Sequence, residues 1–310
     1  MIERVGMSAL CHKRPHHPPR HLSPQEHHRS WQIMSTQKSF RIIRDLFPPI
    51  VYHFLIRAYR RAQGAGWNVF SGCYPTLADV PAASGGMNND WFVADAVSQS
   101  ESLKFEISRY PMGHEAGMLI LPLLVSQLLN RSEKIPTVLD FGGGVVNGLK
   151  SILGHVPNID LTRLHYILVE TPAMCRAVRG LLDKTFESVE VVEDIPSSLP
   201  SPSIVHANSS IQYIPDYHAA LSRLLALAPE AFLIATTPVT DAPTFAQAQH
   251  NNPHRTIGRW VFNRDDLVSE IEKSGYRLAF IFDQGLPVTY KNSKPSNDVS
   301  MVFHKLASPR

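Results

Sequence analysis

Val138-Leu139-Asp140-Phe141-Gly142-Gly143-Gly144 is a short apolar run that meets an acid and then three glycines. A run of this length, bounded by glycine, is the pattern of a strand buried on both faces. The glycines after it let the backbone lie directly against a ligand, because no side chain stands between. From this turn toward the carboxyl terminus, strand and helix patterns alternate. Leu164–Val169 reads as a second strand, followed by Thr171-Pro172, a helix N-cap with proline in the first turn. Val189–Val192 and Ile204–Ala207 are the third and fourth strands, and Tyr217–Leu227 is a helix stopped by Pro229. Ala231–Ala235 is the fifth strand. Asn263 caps a helix through Lys273, with Asp265 and Asp266 in its first turn and Gly275 past its end. Arg277–Phe282 and Val299–Phe303 read as an antiparallel pair at one edge. The expected fold is α/β: a doubly wound, mainly parallel, Rossmann-like sheet with an N-terminal helical extension.

The turn itself narrows the ligand. A dinucleotide enzyme brings pyrophosphate to such a turn, where the carboxylate of Asp140 would repel it. The dinucleotide spacing G-x-G-x-x-G also needs glycine or alanine at 147, where this chain has Asn147. Both features disfavour a nicotinamide-dependent oxidoreductase. S-adenosylmethionine carries an ammonium and a sulfonium and no phosphate, so an acid suits it. Glu170 ends the second strand, where a carboxylate can accept hydrogen bonds from both ribose hydroxyls. Either acid alone could be a turn or helix N-terminal charge; at the ends of adjacent strands they favour a nucleoside ligand.

The expected cofactor-binding set is Asp140, Gly142, Gly143, Gly144, Glu170, Asp194, Ser209 and Ser210. Asp194 follows the third strand, where a polar residue meets the adenine edge. Ser209 and Ser210 follow the fourth, at the methyl end of the cofactor, and touch it through backbone atoms. Gln212 and Tyr213 face the acceptor. For a proton-removing base, His254 is preferred; with His250 it lies in the polar stretch from Asp241 to Arg259, read as a substrate lid. His206 sits in the fourth strand and reads as core. Tyr213 is well placed, but an ordinary phenol, with a pKa of about 10, is a poor base.

The rest of the chain sets the frame. Residues 1–61 carry eleven Lys/Arg against three Asp/Glu, whereas the remaining residues carry nineteen against twenty-four. The basic charge is therefore concentrated ahead of the α/β part, which argues against nucleic-acid binding by the folded domain. Cys11, Cys73 and Cys175 have unrelated spacings and form no metal or redox motif. The first thirty residues lack the apolar core of a signal peptide, and a cytoplasmic location is expected. Residues 1–38, rich in His, Pro and Arg, read as a disordered tail. Residues 39–130 read as a helical and loop-rich cap, and 131–310 as the catalytic domain. Within the cap, Phe40–Arg61 is a basic amphipathic helix interrupted at Pro48-Pro49, suited to packing or to peripheral contact with an anionic membrane. Residues 64–92 read as a connector, and a helix is expected from about Met112 to Leu129.

Over roughly residues 40–306 the chain resembles a bacterial group of class I S-adenosylmethionine-dependent methyltransferases often associated with surface-polysaccharide synthesis. The resemblance rests on Phe47-Pro48-Pro49-Ile50, Phe70-x-Gly72-x-Tyr74, Leu139-Asp140-Phe141-Gly142-Gly143, Val169-Glu170, Ser209-Ser210-Ile211-Gln212-Tyr213 and Trp260-x-Phe262-Asn263. It implies methyl transfer, with a sugar hydroxyl or another small hydroxyl compound as acceptor. The chain departs from the group at Val145-Val146, where small or serine-like residues are usual, and at Thr171, where glutamine is common before the proline. The valine pair keeps open a methyltransferase-like scaffold without catalysis.

Overall fold

The central strand, β2 (Thr137–Phe141), is flanked in parallel by β3 (His165–Val169) and β5 (Ile204–Asn208). All three are nearly continuous apolar runs, as strands covered on both faces must be. Leu139, Ile167, Leu168 and Val205 are completely buried, and each such side chain contributes roughly 1.5–3 kcal/mol of hydrophobic stabilisation. β4 (Val189–Val192) continues the parallel set beyond β3, and β6 (Ala231–Thr240) continues it beyond β5. β11 (Asn297–Lys305) then runs antiparallel between β6 and β9 (Tyr276–Asp283). The order is therefore β4-β3-β2-β5-β6-β11-β9, with β11 the reversed strand. The expected late antiparallel pair is present, with β9 at the edge.

The computed structural model describes residues 69–81, 93–94, 96–97, 116–131, 134–182, 189–197, 199–252, 255–283 and 289–307. The expected tail at 1–38, the basic segment at 40–61 and His254 lie outside these residues. Among the described residues no helix is long and apolar enough to cross a membrane.

Helices α1 (Ala116–Arg131) and α2 (Asn147–His155) pack together. They share a core cluster that includes Leu121, Val125, Leu149, Ile152, Tyr166 and Leu168. A second cluster holds Leu139, Val205, Leu221, Leu224 and Phe232, with residues of α4 (Tyr217–Ala226) and α5 (Arg264–Lys273). Strand alternation divides the two clusters: Val138 belongs to the first and its neighbour Leu139 to the second. Helix α3 (Pro172–Leu181) starts at Thr171, whose side chain accepts the Met174 N–H. α5 starts likewise at Asn263, which accepts from Asp266, and Gly275 beyond its end has φ +88°.

Two sequence expectations need correction. Residues 69–74, read as part of a loop-rich connector, form β1 (Val69–Tyr74). The stretch from Asp241 to Arg259, read as a lid, is largely two strands, β7 (Phe245–Asn252) and β8 (Arg255–Asn263). These pair antiparallel, β1 joins β7, and β10 (Thr289–Lys291) joins β1. The reason for the misreading is composition. β7 alternates Ala246 and Ala248 with Gln247 and Gln249, and Gln247 is as buried as the alanines while Gln249 is half-buried. A polar, glycine-dotted sequence looks like loop until the partners for those amides are known. The end of β8 joins the main sheet beside β6, at Val239–Phe262 and Thr240–Asn263.

Candidate functional site

The carboxyl end of β2 opens into the glycine turn. Gly142 has φ +69° and Gly144 φ +60°, conformations glycine adopts without strain. A Cβ on Gly142 would collide with Ser210 Cβ, so the turn after β2 lies against the turn after β5. Val146 also has a positive φ, +49°, which is costly for a β-branched residue. Val145 and Val146 are both buried in the cluster under α1 and α2. Their burial, at roughly 1.5–3 kcal/mol per side chain, offsets a left-handed penalty of about 1–2 kcal/mol. The valine pair thus has a packing role that the usual small residues lack.

Glu170 stands where the sequence places it, at the end of β3. Its Oε1 accepts the Gly144 N–H at 2.9 Å and its Oε2 the Thr171 N–H at 2.8 Å. Burial pushes its carboxyl above the usual range, against the pull of the two N–H donors, and the charge of Asp140 adds to the rise.

Asp140 is not displayed in the turn. It is completely buried, Oδ2 accepts from the Tyr166 hydroxyl, and Oδ1 lies 2.8 Å from His206 Nδ1. Its carboxylate sits under the turn: a Cβ on Gly148 would lie 2.6 Å from Oδ2, and one on Gly143 would overlap it. Direct contact between this acid and a ligand is therefore not what the geometry supplies. Burial, and then the charge of Asp140, pushes the Tyr166 phenol well above its usual value. His206, read as plain core, is the cross-strand partner of Asp140 in the β2–β5 register.

Asp194 follows β4 with an exposed side chain. It pairs with Arg223 at 2.8 Å and accepts the Ile195 N–H at 2.8 Å. The Arg223 hydrogen bond holds its carboxyl below the usual range.

After β5, Ser209 has φ +49° and its Oγ accepts from Gln212 Nε2 at 3.1 Å. Gln212 Nε2 also donates to the Thr236 carbonyl at 3.2 Å. Three buried polar atoms in this segment have no partner: Asn208 Oδ1, Ser210 Oγ and Gln212 Oε1. An unmade buried hydrogen bond costs about 1–3 kcal/mol, and these three atoms lie within five residues. Tyr213 donates to Gln249 Oε1 at 2.9 Å. Burial raises its phenol pKa, and the positive charge of Arg259 opposes the rise.

Gln249 and Arg259 were not anticipated. Arg259 is buried, with its guanidinium 3.5 Å from the centroid of the Phe70 ring. It lies 3.4 Å from Ser296 Oγ and 3.6 Å from Asp298 Oδ1. With its amide turned to satisfy both neighbours, Gln247 accepts from Arg259 at 2.9 Å and donates to Ser293 at 2.9 Å. This polar layer joins β1, β7 and β8 to Tyr213 and hence to the end of β5. His250, on the other face of β7, is held by Ser71 Oγ at 2.6 Å and Thr256 Oγ1 at 2.9 Å.

The structure thus brings Gly142–Gly144, Glu170, Ser209, Ser210, Gln212 and Tyr213 to the carboxyl ends of neighbouring parallel strands, where doubly wound sheets bind ligands. The strand order, with one reversed strand next to the edge, is that of a doubly wound, mainly parallel, Rossmann-like sheet. No family model matches the chain, and no curated protein matches it. Among solved structures it is similar to a 1,6-didemethyltoxoflavin-N1-methyltransferase from Burkholderia thailandensis. That likeness has 16% identity over 73% of this chain and 94% of that one, at a TM-score of 0.43. An S-adenosylmethionine-dependent methyltransferase from Clostridium acetobutylicum gives 8% identity over 68% and 98%, at 0.44. A pericyclic reaction enzyme gives 15% over 70% and 55%, at 0.42. At such values the likenesses assign neither reaction nor substrate.

Proposed function

We propose that this protein is an S-adenosylmethionine-dependent methyltransferase acting on a hydroxyl of a small acceptor, a sugar being the acceptor class that the family resemblance favours. The observation that carries this reading is Glu170 at the end of β3, bonded to the N–H of Gly144 in a turn free of phosphate-binding spacing. Each Glu170 oxygen uses one lone pair on a backbone N–H and keeps another for a ribose hydroxyl. The unpartnered atoms of Asn208, Ser210 and Gln212 fit a ligand with several polar groups at the end of β5.

When bound, the cofactor supplies an electrophilic methyl on a sulfonium. The acceptor oxygen must be aligned with that methyl and must lose its proton. Gln212 is fixed by two bonds from its amide nitrogen, which leaves Oε1 to accept from the acceptor hydroxyl. Tyr213, with a phenol that burial keeps protonated and whose one proton goes to Gln249, offers the acceptor only a lone pair and does not serve as a base. His254, between β7 and β8 in the sequence, is the proposed base. Asp140 shapes the turn from beneath. Calorimetric titration with S-adenosylhomocysteine and, separately, with NAD tests the cofactor. Binding of NAD in preference would overturn the reading. Methyl incorporation into a panel of sugars, phenols and amines tests the acceptor class.

A further inference from the structure

The mechanism leaves one buried polar cluster unused. Tyr166 from β3, Asp140 from β2 and His206 from β5 meet through both oxygens of a single carboxylate. Three adjacent parallel strands are thereby tied at one point, and that point lies under the glycine turn. The backbone of Gly143 and Gly148 approaches Asp140 so closely that neither position has room for a Cβ. The turn conformation above it is expensive in part, because Val146 holds a left-handed φ of +49°. A strained turn persists only where its surroundings over-determine it. Hydrophobic packing alone does not explain a carboxylate there. An isolated buried charge is costly, and this one is retained with a donor on each oxygen.

We propose that Tyr166 and His206 are positioning residues that act through Asp140 as a brace for the Gly142–Val146 turn, and so set the affinity for the cofactor without touching it. The affinity part rests on the methyltransferase reading; the brace does not. The geometry specifies what each group supplies. Tyr166 presents one hydroxyl and His206 one ring N–H, and the carboxylate between them fills the space that glycines leave open.

The test uses the full chain and two readouts. Backbone hydrogen exchange is followed in the ligand-free protein over the peptide spanning 142–150, and S-adenosylhomocysteine affinity is measured by calorimetry. Tyr166→Phe removes the bond to Asp140 and the one the same hydroxyl makes with the Leu149 N–H, and keeps the ring. His206→Ala, which touches no backbone N–H of 142–150 in this way, removes the other bond to Asp140 and isolates the part that acts through that carboxylate. His206→Asn restores an amide donor near the place of Nδ1. Ile271→Ala, on the buried face of α5, serves as a variant that loses stability in the core cluster that does not hold Val145 and Val146. Tyr166→Phe and His206→Ala should accelerate exchange in 142–150 and weaken S-adenosylhomocysteine binding about tenfold, which corresponds to about 1.4 kcal/mol. His206→Asn should recover most of both losses, and Ile271→Ala should leave local exchange and affinity unchanged despite a lower melting temperature. Wild-type exchange and affinity in Tyr166→Phe and His206→Ala would overturn the brace. Loss of affinity in Ile271→Ala equal to theirs would overturn it as well, by making the effect one of general stability. Failure of the wild-type protein to bind S-adenosylhomocysteine would instead overturn the functional reading, and hydrogen exchange would still decide the brace.

Discussion

Replacing Glu170 by alanine removes both carboxylate oxygens from the end of β3. In the structure those oxygens accept from Gly144 at 2.9 Å and from Thr171 at 2.8 Å. A ribose diol would add one donor to each. Hydrogen bonds to a charged group contribute about 1.5–3 kcal/mol net. Two ribose bonds set the upper bound at twice that, but the freed Gly144 N–H can then take a ribose oxygen and recover part of the loss. The expected weakening of S-adenosylhomocysteine is therefore about 1.5–3 kcal/mol, or roughly 10- to 150-fold. Glu170→Gln, which keeps one acceptor oxygen, should lose about half of that free energy. Calorimetry on the wild type and both variants gives the affinities, and thermal melts establish that all three are folded. The pH dependence has a definite sign. Burial raises the Glu170 carboxyl above its ordinary value of 4.5, and protonation turns one acceptor oxygen into a donor. Affinity should thus fall as pH drops through that raised value, starting at higher pH than for an exposed glutamate. Glu170→Gln should lack this acid limb. If alanine at 170 leaves affinity at the wild-type value, the ribose assignment is wrong, and the acid limb should be absent with it.

Gly142→Ala should destabilise the protein by more than the roughly 1–2 kcal/mol of a left-handed alanine, because its Cβ also collides with Ser210. Gly144→Ala meets only Asn147 Nδ2 at 3.1 Å, so a smaller loss is expected there, and equal urea midpoints for the two would contradict the packing described. Arg259→Ala should cost about 3–5 kcal/mol in chemical denaturation, as a buried ion pair broken on one side does. Tyr213→Phe should cost about 1 kcal/mol through the lost Gln249 bond; acceptor turnover should fall while S-adenosylhomocysteine affinity holds within about twofold. Asp194→Ala removes an exposed ion pair and should change stability by no more than about 1 kcal/mol, whereas a larger loss in melting experiments would mean that the loop carries more than that pair.

The parallel half of the fold is legible because its signals are local. Val138–Phe141, Leu164–Val169 and Ile204–Ala207 are apolar runs of strand length, and Thr171-Pro172 and Asn263 announce the helices after them. The accessory strands are not legible, because most of what satisfies their polar side chains is distant. Gln247 is satisfied by Arg259 and Ser293, Gln249 by Tyr213, and β1 finds its partners some 180 residues away in β7. Of these pairs only Gln247 and Arg259, on the neighbouring strands β7 and β8, fall within a short window of sequence.

Asp140 shows where the reading of a site from spacing fails. An acid two residues before a glycine turn is legible as a functional position, and its charge repels a pyrophosphate for either sense of its side chain. The sense itself follows from strand alternation. Val138 faces the cluster beneath α1 and α2, so Asp140, two residues on, faces the same way and passes under the turn. Glu170 lies one residue beyond the end of β3, where the pleat no longer dictates direction, and its carboxylate folds back onto the turn from outside. The two acids thus divide one task. Asp140, held by Tyr166 and His206, fixes the shape of the turn, and Glu170 keeps lone pairs for the ligand. The charge of Asp140 still reaches Glu170, where it is among the causes that raise the carboxyl. A cationic cofactor gains from both carboxylates, and a pyrophosphate would face both.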